Sequence, residues 1–424
     1  MKVAGEDCVE GKQQTFDIDG ESQGFVSGEK AKDPLPGVKN LPPGSSVLVV
    51  LLGRIGDVVM TLPAVLGLKM ARPDLLIDWV VEDRCADLLV NHPAIRRLIL
   101  LHRRDFEGDL KKGAYLSALS NLIAFRRDLR QERYAAVLDF QSLLKSGVVA
   151  FLAKGKIKLG SPSTYGRMKE GSWLFSRQVN LFDPKLHLVD RHRLVIRELL
   201  GGDPPVAPFV LGIDPGEEWG VLERLDLWDQ RIREKSDSPK RPLALLHPFA
   251  SWVTRRWPIE SFGQVAIRLI RSGFRVGVIG GGGAEQEIAF LKIREAIESG
   301  EEEKPLPVSC LESFLGILSL KESAVLMSKA EIVIACDSGP MHLSSAMGVR
   351  TLGIFGPTDP QRLGPVGNLG MEIHADLLCH PCMGRRCPIG TVCMRDLSPG
   401  KVIEAAFSLL KKSPTEKTSL LEGL

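Results

Sequence analysis

Three short stretches carry most of the chemistry this chain offers. Gly53-Arg54-Ile55-Gly56-Asp57 stands where the apolar run SVLVVLL passes into the apolar-periodic segment VVMTLPAVLGLKMARP. Its glycines let backbone approach a ligand closely, and Asp57 can take a proton as a general base. As an aspartate at a helix start, Asp57 can equally cap the helix. Asp337-Ser338-Gly339-Pro340-Met341-His342 follows EIVIAC. Pro340 suits the first helical turn, and Ser338 and Gly339 offer backbone N–H groups at the positive helix end, which suits a pyrophosphate. His342 can reach the same anion, and Asp337 can orient the loop or bind a ribose. The alternative is a capped turn without ligand. In HPFASWVTRRWP, Ser251 and the pair Arg255-Arg256 can hold phosphate through forked, charge-assisted hydrogen bonds. A solvated basic loop anchored by Trp257 is the other reading.

Two further groups are less sharply defined. Gly280–Gly283 follows FRVGVI, but its spacing does not complete G-x-G-x-x-G, so a nicotinamide dinucleotide is disfavoured. A nucleotide can still approach there, with Glu287 on its ribose or simply a first-turn helix acid. Cys379, Cys382, Cys387 and Cys393 crowd into fifteen residues and can form a four-thiolate structural zinc site, with His380 as a further ligand. Reduced thiols ordering a loop, or redox-labile pairs, are the alternatives.

The elements that must position these groups read as two alternating series. SVLVVLL, LLIDWVVED, RRLILL and AAVLDF are strands, with helices over VVMTLPAVLGLKMARP and NLIAFRRDLRQERY. After Gly/Pro-rich GGDPPVAPFVLGIDPGEEWG the pattern resumes: PLALLHP, FRVGVIGG, a short strand near VSC, EIVIACD and RTLGIFG are strands. Helices fall over IESFGQVAIRLIRSG, from Ala284, over LGILSLKESAVLMSKA and over PMHLSSAMG. Such alternation implies parallel sheets and an α/β fold of two Rossmann-like domains facing across a cleft. The expected division is an extension over 1–44, a domain over 45–205, a connector over 206–240, a second domain over 241–411 and a tail over 412–424. The extension, without apolar periodicity, is expected to be disordered.

Composition narrows the function. The net charge of +3 is too balanced for a chain that coats nucleic acid. No apolar run reaches the ~18 residues of a membrane span, and MKVAGEDCVE lacks a signal-peptide core, so a cytoplasmic protein is expected. Arg96, Arg97, Arg103, Arg104, Arg126, Arg127 and Arg130 form a basic stretch that can meet an acidic substrate or an anionic membrane face.

From about Val47 to Phe407 these pieces, in this order, resemble family 9 glycosyltransferases, the heptosyltransferases of lipopolysaccharide core assembly. The resemblance rests on LLGRIGDVVMTLPA, LDFQSLLKSG, HLVDRHR, HPFASWVTRRWP, ACDSGPMHLSSAMGVRTLGIFGPTDP and HPCMGRRCPIGTVCM. It implies a GT-B fold, with acceptor on the N-terminal domain and donor on the C-terminal one. It further implies inverting, metal-independent transfer of heptose from ADP-heptose to lipid A–Kdo or a heptosylated core, with no cofactor required. The enzyme would visit the cytoplasmic face of the inner membrane transiently. The base of the family falls on Asp57. Donor contacts fall on Ser251, Arg255, Glu287, Asp337, Ser338, Gly339 and His342, and acceptor contacts on Gln141 and Lys145. Arg255 departs from the family's usual Lys, keeping the charge but adding a fork. The long N-terminal extension is also unusual for the family. The rivals are a sugar-nucleotide epimerase or hydrolase on the same fold, or a non-catalytic binder of nucleotide-sugar or lipid A.

Overall fold

The computed structural model describes residues 41–161, 174–179, 183, 185–235, 240–299 and 305–412. The expected extension, up to residue 40, and the tail from residue 413 lie outside the described residues.

The N-terminal half runs β1 (Ser46–Val50), α1 (Ile55–Ala71), β2 (Leu76–Glu82), α2 (Asp83–Ala86), β3 (Arg97–Leu101), α3 (Arg103–Lys111) and α4 (Tyr115–Leu129). It continues with β4 (Tyr134–Asp139), α5 (Leu144–Leu152), β5 (Gly155–Gly160), β6 (Arg177–Gln178) and α6 (Leu188–Leu200). Its strands form one parallel sheet in the order β3-β2-β1-β4-β5-β6. Every residue of β1 is buried, which is why SVLVV shows no polar alternation. Leu48, Val50, Val80, Val137, Phe125 and Leu129 meet in the core between this sheet and α4.

The C-terminal half runs α7 (Pro215–Lys235), β7 (Leu243–His247), α8 (Ile259–Arg271), β8 (Arg275–Gly280), α9 (Ala284–Glu298), β9 (Leu311–Leu315) and α10 (Leu320–Ser328). Then follow β10 (Ile332–Cys336), α11 (Gly339–Ala346), β11 (Thr351–Phe355), α12 (Pro360–Leu363), β12 (Gly370–His374), α13 (Val392–Arg395) and α14 (Pro399–Lys411). Its parallel sheet has the order β12-β11-β10-β7-β8-β9. Each sheet therefore reverses its winding once, between β1 and β4 and between β7 and β10. Ligands of open α/β sheets bind at such switch points, outside the carboxyl ends of the strands.

Three elements depart from the sequence expectation. The stretch read as connector contains the 21-residue α7, which packs on α10. The short strand expected near VSC is β9, which starts one residue later after a single 3-10 turn. The helix expected from Leu315 begins only at Leu320, because Ser319 and Glu322 form a capping box that fixes its start.

The two halves touch through glycines. A Cβ on Gly56 would lie 2.5 Å from His342 Cδ2, and one on Gly339 would lie 2.7 Å from Ile55 Cβ. The start of α1 thus abuts the start of α11, an approach that only residues without a side chain allow. Asp87 accepts the Lys321 N–H at 3.1 Å, and His187 Nε2 meets the Gly364 carbonyl at 3.1 Å. The buried Lys321 Nζ donates to the Gly212 carbonyl at 2.6 Å.

Candidate active site in the interdomain cleft

Asp57 sits on the first turn of α1 but does not cap it. The cap position is Arg54, held at φ 71°, and no side-chain capping bond is made. Of the two sequence readings, the capping one is therefore overturned. The carboxyl keeps part of its surface open, yet protein packs closely around it. Burial pushes its pKa up to about 6; Asp337 adds to the rise, while Arg54, Arg255 and Lys145 moderate it. Asp57 thus shares one electrostatic neighbourhood with residues of both halves.

On the opposite wall, Asp337 organises the loop after β10. Its Oδ2 accepts from Thr358 Oγ1 at 2.5 Å and pairs with Arg255 Nη1 at 3.2 Å. Its Oδ1 lies 3.9 Å from His342 Nε2. Arg255 closes a single 3-10 turn, Val253–Arg255, and its guanidinium stacks 3.8 Å over the Trp252 ring. Arg256 turns elsewhere, donating to the Ala250 carbonyl and pairing with Glu285. Trp257 is the core anchor of the segment, donating to the Leu397 carbonyl. Only one arginine of the pair therefore serves the cleft.

His342 is buried on α11, and desolvation pushes its pKa down to about 4 despite the nearby Asp337. It stands there as a neutral ring, so Arg255 is the cation of this wall. Ser338 is the cap residue of α11 without a side-chain capping bond. Its hydroxyl instead donates to the Cys336 carbonyl at 2.9 Å and meets His247 Nδ1 at 3.1 Å. The first-turn N–H groups of α11 lack intrahelical acceptors, as at any helix start.

Glu287 is exposed on the first turn of α9, and Ser251 is exposed beyond β7. Both stand at the carboxyl edge of the same sheet as Asp337, because β8 and β10 flank β7. Neither is drawn into the Asp57–Arg255–Asp337–His342 cluster.

On the N-terminal side, Gln141 Oε1 accepts the Leu52 N–H at 3.2 Å, tying the turn after β4 to the end of β1. Lys145 Nζ donates to Glu82 Oε1 at 3.1 Å. Glu82 also pairs with Arg84 at 2.8 Å and Arg103 at 3.5 Å. Burial opposes the charge on Glu82, but the hydrogen bond and charge of Lys145, with both arginines, hold its pKa below the usual range. Three cations around one buried carboxylate leave this wall net positive. A Cβ on Gly53 would strike Arg84 and Glu82, so the glycine loop and the cationic group are in direct apposition.

Sequence reasoning missed Glu82, Arg84, His247 and Thr358. Glu82 and His247 share a legible signal: each is a polar residue ending an apolar strand at the carboxyl edge. Thr358 carries no such mark; only the fold brings it to Asp337. The HLVDRHR stretch also finds a place, since His192 meets Thr61 Oγ1 at 2.9 Å while Thr61 donates to the Asp57 carbonyl at 2.7 Å. That pair fixes the turn of α1 bearing the acid.

Cys379, Cys382, Cys387 and Cys393 line one cavity of ≈ 20 Å³ together with Thr254, Pro357 and Leu377. Backbone N–H groups of residues 389–392, that of Thr391 foremost, donate to the Cys387 sulfur and hold its pKa below the ordinary thiol value. Among the described residues no group of three or more His, Cys, Asp or Glu is placed to hold a metal ion. The four thiols do converge: Cys382, Cys387 and Cys379 all act, after burial, to raise the pKa of Cys393.

The family model of glycosyltransferase family 9 (heptosyltransferase) matches residues 122–393, well over half of the chain. Lipopolysaccharide heptosyltransferase 1 of Pseudomonas aeruginosa is 29% identical over 347 residues, covering 80% of this chain and 87% of the relative. The Escherichia coli K12 protein of that name is 28% identical over 341 residues, 78% of this chain and 93% of the relative. Among solved structures, E. coli heptosyltransferase WaaC with ADP superposes with a TM-score of 0.64 at 23% identity, covering 86% of this chain and 99% of that one. The family 9 glycosyl transferase of Veillonella parvula gives a TM-score of 0.64 at 20% identity, covering 87% and 98%. Two Rossmann-like domains meeting at their switch points in the GT-B manner, and a family match across both, make this chain a member of glycosyltransferase family 9, the heptosyltransferases.

Proposed function

We propose that this enzyme transfers a heptose from ADP-heptose to the inner core of lipopolysaccharide, on lipid A–Kdo or an already heptosylated core. The substrates follow the names of its relatives, lipopolysaccharide heptosyltransferases 1, and a structural neighbour solved with ADP-2-deoxy-2-fluoro heptose. The observation that carries the mechanism is Asp57, a carboxyl with its pKa raised to about 6, set in the cleft opposite Arg255 and Asp337. At neutral pH it is ionised, yet more basic than an ordinary aspartate, which suits a general base.

In this reading the acceptor hydroxyl attacks the anomeric carbon while its proton passes to the Asp57 carboxylate. The bond from that carbon to the diphosphate oxygen breaks, ADP departs, and the configuration inverts. Arg255 and the backbone N–H groups of Ser338 and Gly339, at the start of α11, receive the growing negative charge. His342, neutral when the cleft is empty, contributes a ring N–H hydrogen bond. Asp337 holds Arg255 in position, and Ser251 and Glu287 border the donor along the sheet edge. Gln141 and Lys145, with Arg84 and Arg103 beside Glu82, face an acidic acceptor sugar. No catalytic metal or cofactor is part of this scheme, and a lipid-linked acceptor brings the enzyme to the cytoplasmic face of the inner membrane.

Asp57→Asn tests the proposal directly. Turnover with ADP-heptose and acceptor should fall by at least ~10²-fold while ADP still raises the thermal midpoint. Near-normal turnover would remove Asp57 as base. Stabilisation by UDP- or GDP-sugars, but not by ADP or ADP-heptose, would overturn the donor assignment. EDTA should leave the wild-type rate unchanged.

A further inference from the structure

Helix α4 buries one face and leaves a second apolar face uncovered. Ala118, Phe125 and Leu129 point into the core. Tyr115, Leu116, Leu119, Leu122 and Ile123 are instead 69, 86, 53, 44 and 60% exposed. Helical spacing aligns Leu116, Leu119 and Ile123 along one line that ends in the exposed Arg126 and Arg127. At the other end of the stripe the α3–α4 turn presents Lys111 and Lys112, also exposed.

The charge around this stripe is one-sided. From Arg103 to Arg130 the chain has seven Lys and Arg against four Asp and Glu, a surplus of +3 that equals the net charge of the whole sequence. Three of those acids are engaged locally. Glu107 is paired by Arg103 at 2.6 Å, Asp109 accepts from Ser117 Oγ at 2.6 Å and Asn121 Nδ2 at 3.1 Å, and Asp128 accepts from Gln131 Nε2 at 3.1 Å. Protein–protein interfaces are depleted in lysine relative to the rest of the surface, which disfavours a protein partner here. An exposed apolar stripe with Lys and Arg beside it offers the two attractions that hold a protein at a lipid interface, buried apolar area and charge attraction to anionic lipid. Its position fits as well. Arg103, the first residue of α3, reaches Glu82 beside Lys145, so the helical pair starts from the N-terminal wall of the cleft.

We propose that the exposed face of α4, with the cations at its two ends, docks on an anionic phospholipid bilayer and holds the acceptor side of the cleft at the membrane surface. This proposal shares with the proposed transfer only a lipid-linked acceptor; vesicle binding and ADP binding are separate readouts. The full chain would be floated with vesicles of phosphatidylcholine alone or with roughly a third phosphatidylglycerol. The wild type should partition onto the anionic vesicles, more weakly as salt rises. Leu116→Ser with Ile123→Ser, and separately Arg126→Gln with Arg127→Gln, should each lower partitioning by at least ~10-fold. ADP should stabilise all three proteins equally, showing that both variants are folded. Three results would overturn the proposal: no binding of the wild type to anionic vesicles, variants that bind as well as the wild type, or a dimer by light scattering that Leu116→Ser with Ile123→Ser makes monomeric while vesicles bind none of the proteins.

Discussion

Asp57 shows how one residue's surroundings decide its use. Its sequence position suits a helix cap, but Arg54 takes the cap position and leaves the carboxyl in a crowded cleft. Burial raises its pKa from 3.8 to about 6, so the folded protein holds that proton more tightly than the unfolded chain does. The associated stability is complete below pH 4 and is lost as pH rises through 6. Removing the charge should therefore stabilise the fold only where Asp57 is ionised. Asp57→Asn should gain on the order of 2 kcal/mol at pH 8 and nothing at pH 4. Thermal unfolding at the two pH values checks this, and an equal gain at both would show that the burial cost is absent. Arg255 and His342 illustrate the same point. Arg255 has its charge paired by Asp337, whereas His342 beside it is desolvated to neutrality.

At the scale of elements, the critical contact is between the starts of α1 and α11. It depends on Gly56 and Gly339, where a methyl group would fall within 3 Å of the facing half. Gly56→Ala should thus push the two helix starts apart while leaving each half folded. A displacement of about 1 Å between base and leaving-group site is expected to lower kcat/KM by ~10²-fold. Steady-state kinetics together with an unchanged far-ultraviolet circular dichroism spectrum test this; full activity would mean that the halves need not approach so closely. The glycine loop, the strands on either side of it and the helix after it were all legible in the sequence. α7 was not, because its polar faces and Pro/Gly-rich start hide a helix stabilised by packing on α10. Nor was the start of α10, which a local capping box moved past the apolar residues that suggested an earlier one.

Over the whole molecule, buried histidines set the response to acid. Desolvation lowers the pKa of His92, His247 and His342 to about 4 and that of His192 to about 3. Asp57 and Asp139, raised to about 6, act in the opposite sense. The four rings outnumber the two carboxyls, so between pH 6 and 4 the unfolded chain binds more protons than the folded one and stability should fall as the pH drops. Urea unfolding across that range tests the slope, and a flat profile would show that these rings are not kept neutral. The sequence by itself determined the alternation of strands and helices, the two Gly-bearing turns and the ionisable residues at their ends, because these follow from local periodicity and residue type. It could not determine which residues stand opposite one another. The tertiary structure decided that Arg255 rather than Arg256 faces the cleft and that Glu82 gathers Arg84, Arg103 and Lys145. It also left Glu287 and Ser251 exposed and outside the cluster. Those outcomes depend on burial and on distances between residues remote in sequence, and hydrophobic pattern and spacing encode neither.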